Sequence, residues 1–167
     1  MFMIRRVLML SAVLAATVLF ATPASANGAG AVSITQTFHN AIQTFTPPDP
    51  MATNPCTGAP GTVTFTYNGV FHMTMLTSGV GAGTGWGTFT AAGDATIVQT
   101  GVTYSGHFAT WDGFNFNLNN FTATATFSGH LTGSDGTSLA FHGLFHITAL
   151  RTTPPTVIVT FMRLNCG

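Results

Sequence analysis

At 167 residues, with 5% charged and 46% hydrophobic side chains, the chain can build one domain with a real core but carries almost no charge. Beyond residue 26 there is no Lys and no Glu, and Arg151 and Arg163 stand against Asp49, Asp94, Asp112 and Asp135, a formal −2 with His neutral. Such a surface cannot neutralise phosphates, which excludes nucleic acid, and it lacks the cationic face of a membrane-surface helix.

Residues 1–26 read as a signal peptide. Arg5 and Arg6 supply a positive start, Val7 to Phe20 an apolar run, and Ala24-Ser25-Ala26 a small-residue cleavage pattern. The apolar run is short for a bilayer span. A secreted, extracellular product starting at Asn27, with no membrane attachment after cleavage, is the expectation. Residues 27–167 then form a single domain. Its two cysteines, Cys56 and Cys166, lack the C-x-x-C spacing of a metal or redox site. In an exported chain such a pair is expected to form a disulfide.

In chain order, Val32 to Thr46 reads as a strand, bent near His39-Asn40. Pro47-Pro48-Asp49-Pro50 ends it, because proline gives a ladder no donor, and a loop of roughly fifteen residues runs to Gly61. Thr62 to Tyr67 and Val70 to Leu76 flank Asn68-Gly69, a dipeptide suited to the positive φ of a type I′ hairpin turn. Ser78 to Gly83 is a Gly-rich turn. Strands follow at 84–91 and 95–100, split by Gly93-Asp94, and at 102–111, stopped by Asp112-Gly113. Residues 114–120 alternate aromatic residues with Asn, as an edge strand or an ordered loop. Residues 121–132 and 137–150 flank a second hairpin turn, Gly133-Ser134-Asp135-Gly136, and 156–164 closes the chain.

Eight or nine strands and no helical period predict an all-β fold. The expected form is an antiparallel up-and-down β-barrel of about eight strands, with a β-sandwich as the alternative. Closure would remove edges that no Lys defends, and would bring the segments bearing the two cysteines together.

Six histidines stand out: His39, His72, His107, His130, His142 and His146. Imidazole is a common metal ligand, but His142 and His146 lie about 13 Å apart along an extended strand, too far to share an ion. The plainer reading is half-exposed rings against Phe and Thr, so no metal and no cofactor is expected. Asp94, Asp112 and Asp135 each sit beside Gly in apparent turns, which gives no facing carboxylate pair for glycosidic chemistry. With the Asn68-Gly69 turn assumed, each face of the main hairpin mixes apolar and polar residues. Mixed faces and many aromatics point to a binding surface lined by Phe65, Tyr67, His72, Tyr104, His107, Trp111 and His142.

Phe38-His39-Asn40, Asn54-Pro55-Cys56-Thr57-Gly58, Tyr67 to His72, Gly133 to Gly136 with Phe141-His142, and the near-terminal Cys166 together resemble a family of small secreted actinobacterial proteins. The resemblance implies export and the Cys56–Cys166 pair, and it implies no activity. Lipocalin-like and allene-oxide-cyclase-like barrels offer an analogy of fold alone, which transfers no residues. The leading expectation is a non-enzymatic barrel binding a small apolar or aromatic ligand. A cell-surface structural or interaction protein is the second. A barrel enzyme with His72, His107 or His142 as general base is the third. Oligomeric state is not legible.

Overall fold

A computed structural model describes residues 30–49, 51–150 and 156–167. The segment read as a signal peptide, Pro50 and Arg151 lie outside them. Seven antiparallel strands form one meandering sheet in the order β1-β2-β3-β4-β5-β6-β7. They are β1 Ala31–Phe45, β2 Thr62–Leu76, β3 Gly85–Gln99, β4 Val102–Phe116, β5 Asn120–Gly133, β6 Ser138–Leu150 and β7 Thr156–Cys166. The all-β, up-and-down expectation holds, with fewer and longer strands than the eight or nine read from sequence.

Three expected breaks are absent. Asn68-Gly69 lies within β2, Gly93-Asp94 within β3 and Asp112-Gly113 within β4. The glycines that do turn the chain have positive φ, as at Gly79, Gly101 and Gly136. Gly69 and Gly93 have no positive φ and serve close approach instead. A Cβ on Gly69 would meet the Thr90 carbonyl oxygen at 2.7 Å, and one on Gly93 would fall on that of Thr66. Asn68 has its own task, accepting a hydrogen bond at 3.0 Å from the Asn40 backbone N–H. There β1 bulges between Phe38 and Ala41, with Asn40 at φ 48°, so the expected bend near His39-Asn40 is real.

With β2 continuous, its faces separate cleanly. Val63, Phe65, Tyr67, Phe71, Met73 and Met75 share one face, and Thr62, Thr64, Thr66, Val70, His72 and Thr74 the other. The mixed faces expected from sequence were a product of the assumed turn, which flips the alternation by one residue. The same division runs across the sheet. One face carries the apolar core, with Leu131 0% and Ile147 2% exposed. Among the described residues no second sheet covers that face, and its buried residues cluster across strands, Val63 of β2 and Ile97 of β3 with Leu131 of β5 and Leu139 of β6.

Phe and Gly fill this interior jointly. Across neighbouring strands Gly85 pairs with Phe116, Gly87 with Phe114, Gly129 with Phe141 and Gly143 with Phe127. In each pair the ring lies where a Cβ on the glycine would stand. Gly106 is tighter still, because a Cβ there would fall on the His130 carbonyl oxygen and lie 2.8 Å from the Leu131 Cα. Backbone cannot step aside as a side chain can. Gly106→Ala is expected to destabilise the fold by about 2–3 kcal/mol in urea titration. A loss under 0.5 kcal/mol would show that the strands can separate there.

The barrel closure is not found: β1 is hydrogen-bonded only to β2, and β7 only to β6. The expected disulfide is present, with Cys56 and Cys166 Cα atoms 5.8 Å apart. It joins the end of β7 to the β1–β2 loop and not to β1 itself, which is how the ends can meet while the strands stay unpaired. The long loop is ordered by more than this bridge. Asn54, 1% exposed, accepts from the N–H groups of Cys56 at 2.9 Å and Thr57 at 3.2 Å, and donates to Gln99 Oε1 at 3.2 Å. Gln99 in turn donates to the Ala59 carbonyl oxygen.

Candidate functional site

The seven residues singled out from sequence do not come together. Phe65, Tyr67 and Tyr104 face inward, whereas His72, His107, Trp111 and His142 face outward. The inward three are already packed. Phe65 meets Phe108 with ring centroids 4.7 Å apart, and Tyr67 sits against Phe38 and Phe89. Burial pushes the Tyr67 phenol above its ordinary range. Tyr104 packs beside Val63 and Ile97, with its Oη 3.4 Å from the Thr137 hydroxyl.

On the outer face, His72 shares hydrogen bonds with Thr35 at 2.9 Å and Thr74 at 3.3 Å. His146 is 2.6 Å from the Thr124 hydroxyl. His107 lies opposite His130 on β5 and Asp94 on β3, with Nδ1 2.7 Å from the Asp94 carboxylate. At 88% and 69% side-chain exposure, that ion pair contributes little in solvent. His142 stands opposite Ser128 and Asn165, and Trp111 opposite Thr90 and Thr126. Among the described residues no group of three or more His, Cys, Asp or Glu is placed to hold a metal ion. A broad, shallow hollow of about 530 Å³ crosses this face, lined by small side chains such as Thr90, Ala92 and Ala109.

The residue that sequence reasoning missed is Asp112. Because β4 runs on to Phe116, the alternation Phe108, Thr110, Asp112, Phe114, Phe116 puts this carboxyl on the apolar face. Phe89 lies opposite it on β3 and Ala125 on β5. Loss of hydration there raises its pKa to about 7. The polar group beside it is the Thr110 hydroxyl, whose single proton can serve either Asp112 or the Thr126 carbonyl oxygen 3.0 Å away. A cleft of about 70 Å³ opens alongside, lined by Asp112, Gly113, Phe114, Phe121, Ala123, Thr124, Ala125 and Phe145. The signal in the sequence was the shared two-residue phase of Phe108, Phe114 and Phe116 on either side of Asp112.

These features define an all-β, disulfide-bridged meander with an acid on its apolar face. No family model, curated protein or solved structure matches the chain.

Proposed function

We propose that the protein is a non-catalytic binding protein acting outside the cytoplasm, which holds one end of a small, largely apolar ligand in the cleft beside Asp112. The observation that carries this reading is an open, aromatic-walled cleft on the apolar face. At about 70 Å³ it suits one end of a molecule and not a whole drug-sized ligand, which needs several hundred Å³. The disulfide favours an oxidising compartment, and no described helix is long and apolar enough to cross a membrane. The histidines line an open outer face and not the pocket a general base needs, so the enzymatic reading gains no support.

Toluene is the direct probe. Titrated into the folded protein, it is expected to shift the methyl resonances of Ala123 and Ala125 and to leave those of outer-face Ala92 and Ala109 in place. No shift at Ala123 and Ala125 up to toluene's solubility would overturn the reading.

A second reading, an assembling cell-surface protein, is favoured by β1. This strand offers fifteen residues without one formal charge, its free edge unpaired, and within it Ile42 is 72% exposed. Sedimentation velocity across a hundredfold concentration range tests it, and a monomer throughout would exclude it.

A further inference from the structure

Asp112 is a carboxyl without a countercharge. Among the described residues the cation Arg163 is exposed, at a position opposite outer-face Leu144. The His107–Asp94 pair also belongs to the outer face. A buried acceptor with no partner lies on the same tier of the inner face. Pairing runs Gln36, Phe71, Phe89, Asp112 across β1 to β4, and Gln36 Oε1 is buried with no hydrogen-bond partner. One tier therefore presents two acceptors separated by Phe rings, and the cleft opens at its Asp112 end. A buried acceptor left unpaired costs free energy that a donor brought from outside would recover.

We infer that the cleft takes an organic ammonium group, whose N–H groups donate to the Asp112 carboxylate while its first carbons lie against Phe114, Phe121 and Phe145. This rests on the ligand-binding reading above and adds the chemical class of the ligand. Ring faces carry negative potential and attract a cation, the more so where water is excluded. The carboxylate supplies full charge in a medium of low dielectric, and its two oxygens accept from the N–H groups of a primary ammonium. A neutral hydroxyl of the same size has the apolar contacts without the charge. The volume of about 70 Å³, some two water volumes, fits a headgroup with its tail leading out through the open side.

Propylammonium and 1-propanol, compared at pH 8 by chemical-shift titration of Ala123 and Ala125, separate charge from shape. Propylammonium is expected to bind at least tenfold more tightly. In Asp112→Asn that advantage is expected to vanish while the toluene response persists, which also verifies that the variant is folded. Equal affinities for amine and alcohol, or full amine affinity in Asp112→Asn, would overturn the ammonium assignment and leave the apolar cleft standing. Silence toward toluene, amine and alcohol together would overturn both.

Discussion

Removing the Cys56–Cys166 bridge, by reduction or by replacing both residues with Ser, is expected to lower the midpoint of thermal unfolding by about 10–20 °C. The bond spans 110 residues, which take in β2 to β7. In the chain-entropy account a loop of that size restricts the unfolded ensemble by about 4–5 kcal/mol. For a domain of this length each kcal/mol moves the midpoint by roughly 3–4 °C. The folded state would feel the loss at one place first. Beyond its pairing with β6, β7 is held by this bond, whereas the β1–β2 loop keeps its Asn54 and Gln99 hydrogen bonds. Hydrogen exchange should therefore quicken in β7 well before β2 to β5. A reduced protein melting within 3 °C of the oxidised one would show that the folded sheet holds its free ends without the bridge.

Asp112 gives the second large effect, and its sign is opposite to that of a salt-bridged carboxylate. Its pKa rises from 3.8 in the unfolded chain to about 7 in the fold. Between those values the folded state keeps a proton that the unfolded state has lost, so stability falls as pH rises. The contribution is whole below pH 3.8, declines by about 1.4 kcal/mol per pH unit, and is spent above pH 7. The total is on the order of 4 kcal/mol. Asp135 acts in another window. Hydrogen bonds from Thr137 hold its exposed carboxyl below the usual range, so its effect appears only as pH falls into strong acid. Asp112→Asn, a neutral side chain of the same shape, is expected to be the more stable protein at pH 8 and to lose the slope between pH 4 and 7. Urea titrations of both proteins at half-unit steps measure this. Both carry the same histidines, so the difference between the curves belongs to Asp112. Parallel curves would mean that water reaches the carboxyl in the folded state.

The all-β, up-and-down character, the bent first strand and the Gly133–Gly136 hairpin were legible in the sequence because each rests on local chemistry, and the disulfide because the exported chain was read to hold two cysteines. The strand lengths were not. Asn68-Gly69, Gly93-Asp94 and Asp112-Gly113 carry the composition of turns, yet Gly69 and Gly93 answer to a neighbouring strand that the linear chain does not display. That error then spread. A false turn at Asn68-Gly69 put Phe65 and His72 on one face and suggested a site that the continuous strand divides. A false stop at Asp112 filed the one inward carboxyl among solvent-exposed turn residues. Openness of the sheet was equally hidden, since two cysteines report that chain segments meet and not whether the adjoining backbones pair. Asn54 was visible only as part of a short motif, although its side chain organises the loop around it.

The pairing of bare glycines with overlying phenyl rings has a consequence for how such a chain can vary. Enlarging Gly143 evicts the Phe127 ring, and shrinking Phe127 uncovers backbone at Gly143, so neither position tolerates change while the other stands still. Swapping the two, with the ring supplied from β6 and the gap from β5, keeps the shared volume nearly constant. Tolerated substitutions along these strands should accordingly come as reciprocal couples across a ladder rung, not as independent drift.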